Sequence, residues 1–480
     1  MGIFIRAFQV GICCMIKEKY MKRFVLVLLA SVAVSFYPVS VKAQSVNVGN
    51  ILKNIVAPAF PTTVFNVLEY GALNDGVTDA RTAINKAITA CSNAQGGIVL
   101  IPPGKYYVAG SIILKSHVNL KVEAGAEVNF SSHPKDYSPF VLTVWEGTEL
   151  FNYSPLVYGY HVSDVAITGK GTLNGNASGE YATWRPQGSE MQGRLRQMGI
   201  DQVPVNERNF GLGSKLPPNM IEFFGCSNIL VQDIHISDAP YWVIHPVFCN
   251  NVTVRGVEIN SNNLNNDGCD PEYTRNVLIE NSTFNVGDDA VAIKAGRDQD
   301  GWRIGQPTEN IVIRNCLFNS KCNGLCIGSE MSAGVQNVFM ENVVVKNSLS
   351  GLYFKSNPDR GGFIRNVWVR NVSCDSVRTA LIRFEPNYPG GRGGHTPALF
   401  SNFLIENVKG DRSGECGFYA VGIKNHSLKD ITLRNIYLRQ CKTPYIMQNV
   451  ENVLFENVIL GGIKMPANPK ETGDIKLKSY

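Results

Sequence analysis

Carboxylates crowd two short stretches of this chain, Asn265-Asn266-Asp267-Gly268-Cys269-Asp270-Pro271-Glu272 and Val286-Gly287-Asp288-Asp289-Ala290. Asn-Asp-Gly and Gly-Asp-Asp each read as ordinary turn chemistry when taken alone. The two stretches lie about one repeat unit apart, so stacking of repeats brings their acids to one point. Like charges that close disfavour simultaneous ionisation, which leaves a protonated acid beside ionised neighbours. Glycosidic cleavage needs that combination: an acid to protonate the leaving oxygen, and a carboxylate to activate water or attack. The rival reading is a calcium site, because clustered Asp oxygens also suit a hard cation. Cations follow the acids at Lys294, Arg297 and Arg303, and again at Arg360. They are either solvated surface charge or ligands for the anionic groups of an acidic substrate, and their place in excursions beside the aspartates favours the second. Glu330 fits a hydroxyl ligand or a partner for Lys355. Trp184, Trp242 and Trp302 are candidates for stacking on sugar rings, with core packing the other reading of Trp242.

The element that must position these residues is a repeat. From about residue 228 an Asn opens a short alternating apolar segment again and again, as in Asn228-Ile229-Leu230-Val231, Asn251-Val252-Thr253-Val254 and Asn276-Val277-Leu278-Ile279. The pattern returns at Asn310, Asn337, Asn366, Asn402 and Asn452, with Asp430-Ile431-Thr432-Leu433 as a variant. The period of roughly 22 to 36 residues is that of a solenoid. Segments this short and β-branched, bounded by Asn, Gly and Ser, are strands that cannot bury a face alone. Parallel stacking closes a core, so the pattern predicts an all-β chain wound as a parallel β-helix, with Asn side chains forming a ladder inside one turn. The longer repeats should carry excursions that line a groove on one side.

The amino-terminal part differs. Asp79 to Ala94 places Ala83, Ile84, Ala87, Ile88 and Cys91 on one helical face, with Asp79 as N-cap, and predicts a helix that covers the open end of the solenoid. Glu180 to Leu216 is polar, rich in Gly and Arg, and reads as an insertion at the groove. Met21 to Ala43 has the form of a signal peptide, with Lys22 and Arg23, the apolar run Phe24 to Ala33 and Val41-Lys42-Ala43. The expected organisation is therefore an extension and leader over 1–43, a linker over 44–60, the β-helix over 61–465 and a mostly solvated tail over 466–480. A secreted or periplasmic protein without stable membrane insertion follows, most simply a monomer. The chain has 480 residues, 18% charged, and a net charge of +5. It lacks the dense basic blocks of a nucleic-acid binder, while the mild positive excess suits an acidic polysaccharide. Of its 12 cysteines, Cys316, Cys374 and Cys441 sit in strand-like positions as buried hydrophobes. Cys322 and Cys326 form half a metal site with no second half, so no metal and no cofactor are expected.

At this level of detail the chain resembles the polygalacturonases of glycoside hydrolase family 28 over nearly its whole mature length. The resemblance is carried by Tyr70-Gly71-Ala72-Leu73-Asn74-Asp75-Gly76-Val77-Thr78-Asp79, by Gly97 to Gly104, by Asn-x-Asp-Gly at Asn265 to Gly268 and by Gly-Asp-Asp at Gly287 to Asp289. It implies a right-handed parallel β-helix of the pectin-lyase-like kind with an N-terminal capping helix, and an inverting hydrolysis. Asp288 is then the general acid, while Asp267 and Asp289 hold and activate water. Lys294, Arg297, Glu330, Tyr353, Lys355 and Arg360 become candidate substrate ligands. Ile327-Gly328-Ser329-Glu330-Met331 is similar to the bacterial exo-acting branch, and the 180–216 insertion would wall off one end of a cleft.

Two positions depart from the family. Where it carries His-Gly, Lys321-Cys322-Asn323-Gly324 puts Cys322 or Asn323, and neither replaces an imidazole. Where it carries Arg-x-Lys, Tyr353-Phe354-Lys355 keeps the Lys and substitutes Tyr for Arg. Loss of those cations predicts weak activity on plain homogalacturonan and better activity where the sugar beside the scissile bond is neutral, as in a rhamnogalacturonan. A calcium-dependent polysaccharide lyase on the same architecture, and a pectin-binding β-helix without catalysis, are the alternatives.

Overall fold

The structure is a computed structural model that describes residues 48–473. The Met21–Ala43 leader and residues 474–480 lie outside the described residues. Successive coils stack in parallel register, so that Ile229, Val252, Val277, Ile311, Val338, Val367, Phe403 and Ile431 pair in turn. All of them are buried, each contributing about 1.5–3 kcal/mol of apolar burial. The chain is a right-handed parallel β-helix with one core along its length.

The repeated Asn has a backbone reason. Asn228, Asn251, Asn276, Asn310, Asn337, Asn366 and Asn402 all have φ between 54° and 61°, the left-handed region that Asn tolerates better than other residues with a Cβ. Their amides form the expected ladder: Asn310 donates to Asn276 at 3.1 Å, Asn337 to Asn310 at 3.0 Å, Asn366 to Asn337 at 3.1 Å and Asn402 to Asn366 at 2.7 Å. The ladder breaks where Asn276 donates to Asn250 and Asn251 exchanges hydrogen bonds with the backbone of Val56, and beyond Asn402 it resumes with Asn452 donating to Asp430. A second row runs beside it. Arg255, Glu280, Arg314, Glu341, Arg370, Glu406, Arg434 and Glu456 occupy one register position in consecutive coils. Their charges alternate without a break, as in the 2.7 Å contacts of Arg314 with Glu280 and of Arg370 with Glu341.

The face that matters for function begins with the strands Ile112–Leu114, Val157–Tyr160, Ile221–Phe224 and Ile244–Val247. Bridges at Cys269 and Glu272 carry it on to Val291–Ile293, Asn323–Ile327, Ser350–Lys355, Ala380–Glu385, Cys416–Val421 and Thr443–Gln448.

Two helices cap and flank the solenoid. α1 spans Val48–Lys53 and α2 spans Arg81–Asn93. α2 buries the five residues read from the periodicity and packs on the first coils. Its N-cap is Ala80 rather than Asp79; the Asp79 carboxylate, one residue earlier, accepts from Arg81 N–H and ties the helix to Ala109 N–H. The 44–60 stretch, expected as a linker, is docked from Val48 on. Ile51 of α1 packs on Leu278, Val312 and Phe339, outward-facing apolar residues that would otherwise meet water. The first residues of the expected tail are likewise tied down, since Thr472 N–H donates to Met447 O and the Thr472 hydroxyl accepts from Met447 N–H at the last strand edge. The 180–216 insertion folds as α3 (Trp184–Gln187) and α4 (Ser189–Ile200). All cysteines among the described residues are free, and Cys316 and Cys374 are buried as expected.

Candidate active site

Stacking brings the two acidic stretches together through the backbone: Gly268 N–H donates to Asp289 O at 2.9 Å, and Val243 N–H to Asp267 O at 2.9 Å. Asn266 makes the first turn. Its buried amide accepts from Ser261 Oγ at 2.6 Å and donates to Ala239 O and Tyr241 O at 3.0 Å each. Gly268 is required by the close approach, because a Cβ there would lie 2.4 Å from the Phe284 ring. The Asn and Gly of Asn-x-Asp-Gly are thus architectural, and the Asp between them is presented to the groove.

The groove holds a cavity of about 380 Å³ lined by Asp267, Asp288, Asp289, Lys294, Arg297, Glu330, Lys355 and Arg360. All three expected catalytic residues are there, with five of the six expected substrate ligands. Tyr353 is the exception. It is buried, its hydroxyl donates to Glu385 and its ring lies 4.9 Å from the Arg383 guanidinium. Tyr388, which follows the next strand, lines the cavity instead. Trp242 lines it beneath the Lys294 ammonium at 4.8 Å, whereas Trp184 is core and Trp302 spends its N–H on Arg360 O at 2.6 Å. Arg303 pairs with Glu149 and Asp300 away from the cavity.

The aspartates differ in electrostatic setting. Burial, then the neighbouring charge of Asp289, raises the Asp288 pKa above the usual carboxylate value. Burial alone would raise Asp289 too, but Lys355, 3.1 Å from its Oδ2, and Lys294 hold it below that value, and Asn323 donates to Oδ1 at 2.5 Å. An acid that holds its proton more tightly than usual therefore sits beside a carboxylate that releases its proton more readily. Asp267 is raised well above the usual value by burial, then by Asp270 and Asp288. Asp270 is fully buried, is raised well above the usual value by burial against the pull of Lys294 and His245, and neither of its oxygens has a conventional partner in the structure. The two behave as a pair holding a proton between them. Glu330 is held well below its usual value, against its own burial, by Lys294, Arg360 and Arg297. At the family's His position the structure uses both candidates: Asn323 binds Asp289, while Cys322 places its sulfur within 4.8 Å of carboxylate oxygens of Asp288 and Asp289. With Asp289 Oδ2 bound to Lys355, this donor set suits a proton-transfer site better than a calcium cage.

Several residues of the site escape a motif search. Glu146, at the tip of the hairpin Val141–Trp145/Thr148–Asn152, accepts from Arg297 at 2.7 Å, Gln192 at 2.5 Å and Tyr241 at 2.8 Å. Arg185 and Gln192 reach the cavity from α3 and α4, and Pro389 and Gly390 from the loop after Ala380–Glu385. A clamp joins these walls. Arg196 of α4 donates to Asp298 at 2.7 Å, Gly390 O at 2.6 Å and Asp359 at 2.8 Å. Beneath the site, His245 lies between Glu222 and Glu272, all fully buried, with Nε2 3.1 Å from Glu272. Burial would lower its pKa, but hydrogen bonds to the two glutamates raise it to about 9.

The solenoid carries a cavity of paired acids and bases, and residues 91–459 match Glycosyl hydrolases family 28. The chain belongs to that family and acts on O-glycosyl bonds. An exopolygalacturonase structure from Thermotoga maritima superposes with a TM-score of 0.84 at 36% identity, covering 87% of this chain and 96% of that one. An exo-poly-alpha-D-galacturonosidase of Dickeya chrysanthemi is 25% identical over 86% of this chain and 73% of its own length. A probable polygalacturonase of Vitis vinifera is 28% identical over 66% of this chain, which spans 62% of that protein. Among the described residues no helix is long and apolar enough to cross a membrane.

Proposed function

We propose that this protein hydrolyses α-galacturonosyl linkages of pectin from a chain end, with inversion, Asp288 acting as general acid. The observation that carries the reading is that Asp288 and Asp289 line one cavity while Lys355, at 3.1 Å, and Asn323 bind Asp289, which displaces the two pKa values in opposite directions. Asp289 and Asp267 hold the water, and Asp289 is the member kept ionised to accept its proton. One oxygen each of Asp288 and Asp289 lies within 4.8 Å, closer than the roughly 6.5–9.5 Å of a usual inverting pair. Asp267, one coil back, therefore completes the water site. Lys294, Arg297, Lys355 and Arg360 supply the cationic lining that suits a uronate. Because Tyr353 faces Glu385 and not the cavity, its replacement of an Arg leaves that lining in place, which favours galacturonan over a neutral neighbour. The Arg196 clamp supports exo action, since it ties α4, which brings Gln192 to the cavity, to Gly390 on the facing wall.

The same reading places the protein outside the cytoplasm, as a secreted or periplasmic monomer working on an acidic plant polysaccharide. Digestion of polygalacturonate and of rhamnogalacturonan oligosaccharides tests it, with NMR of the first product to read its anomer. Release of monogalacturonate with inverted configuration is the expected result. Asp288→Asn should lower kcat by a factor on the order of 10³ or more while binding persists. Unsaturated products, or a retained anomer, would sink the proposed chemistry.

A further inference from the structure

The turns that enter the site-bearing sheet stack into a column. Asp288 and Asp289 precede Val291–Ile293, Cys322 precedes Asn323–Ile327, Arg378 precedes Ala380–Glu385 and Lys442 precedes Thr443–Gln448. Toward the amino-terminal end the column meets the insertion, whose Tyr181, Arg185 and Lys215 line one pocket with Asn263, Leu264 and Asn265. Toward the carboxy-terminal end it opens into a groove of about 440 Å³ lined by Arg378, Arg412, Lys442, Ser376, Ser413 and Gln440, with no carboxylate in the lining. Arg378, Arg412 and Lys442 are exposed, and none of them pairs with a carboxylate in any salt bridge among the described residues. Two nearby acids are engaged elsewhere, Asp411 with Arg439 and Asp375 with the backbone of Asn347 and Ser376, and a third, Glu415, stands in the same column before Cys416–Val421 with a partner of its own. The Arg378 guanidinium is anchored, donating to Asn347 O at 2.8 Å and to Lys321 O. A cation held this way has less side-chain freedom to lose when an anion binds.

We propose that this groove is a second binding site for polyuronate, one that grips an acidic polysaccharide chain several sugars away from the cavity. It rests on the reading of the cavity as a galacturonan site. With neighbouring strands about 4.8 Å apart, the coil of Arg378 lies roughly 14 Å and that of Lys442 roughly 24 Å along the axis from the coil of Asp288. A chain leaving the cavity along the column meets the three cations in turn, and their charge matches its carboxylates.

The test is the triple variant Arg378→Gln/Arg412→Gln/Lys442→Gln, assayed on polygalacturonate and on a trigalacturonide too short to reach the groove. KM for the polymer should rise about tenfold, as three exposed ion pairs of modest strength would give, and its salt dependence should flatten. The constants for the trimer should stay as they are. An unchanged polymer KM overturns the proposal, as does an equal loss on both substrates. Retention on immobilised polygalacturonate, measured in the Asp288→Asn background with and without the triple change, separates the two readings. If the parent protein hydrolyses no galacturonan yet retention depends on the three cations, the cavity reading fails and the groove stands. Equal retention removes the groove whatever the cavity does.

Discussion

Asp270 is the residue whose chemistry exceeds its visible contacts. A buried carboxyl without a conventional partner is costly unless it is neutral or shares a proton, and Asp267, three residues earlier, is the neighbour it shares with. Asp270→Asn ends that competition, so Asp267 should ionise at lower pH. The acidic limb of the kcat/KM–pH profile should then move down, and an unmoved limb would separate Asp270 from the site. The sequence made Asp267, Asp288 and Asp289 legible because motif and register agree. Lys294, Arg297 and Arg360 were legible as cations near acids, although three of Arg360's contacts go to Ser329 and Glu330. Tyr353 was misplaced because strand alternation does not say which neighbour, Glu385 or the cavity, captures a phenol. Asp270 was visible in the first motif but was not singled out, since nothing in a sequence distinguishes an acid that faces substrate from one that lies beneath it.

Among the elements, the inserted α4 and the buried row under the site are the most exposed to test. Arg196 joins α4 to Asp298, Asp359 and Gly390. Arg196→Met leaves those acceptors short of a donor, and removing one member of a buried pair costs about 3–5 kcal/mol locally. The cavity wall should loosen and products from polygalacturonate should lengthen beyond the monomer; an unchanged product series would show that the clamp does not set chain-end action. His245, with a pKa near 9 in the fold against about 6.5 when unfolded, stabilises the charged, folded form by roughly 3 kcal/mol. Because the folded value is the higher one, this contribution is whole below pH 6.5 and is lost as pH rises through 9. His245→Gln should lower the melting temperature most at pH 6 and least above pH 9, as scanning calorimetry at both ends can check. The insertion was legible as an excursion, but its helices were not, because α4 buries only Leu195, Arg196 and Gly199 and so lacks a long apolar stripe.

At the scale of the molecule, a repeated left-handed Asn and an alternating apolar segment were enough to read a solenoid, since every coil repeats the same backbone requirement. What the repeat does not encode is what covers its outer faces. The docking of α1 on Leu278, Val312 and Phe339 arises from apolar residues at outward positions, which look the same in sequence as ordinary strand propensity.

The alternating row from Arg255 to Glu456 also constrains how such a chain can change its length. Excising 366–401 removes one coil and sets Glu341 beside Glu406; excising 366–429 removes two coils and sets Glu341 beside Arg434. Like charges directly opposite destabilise a strand pair by about the amount that opposite charges support it. The 366–401 product therefore carries a like-charge contact that the 366–429 product lacks, and salt screens it; its melting temperature should rise more with added salt, and equal salt responses in thermal melts would dismiss the idea. If it holds, the row is a parity rule written into the solenoid: lineages descended from this chain gain or shed coils in even numbers.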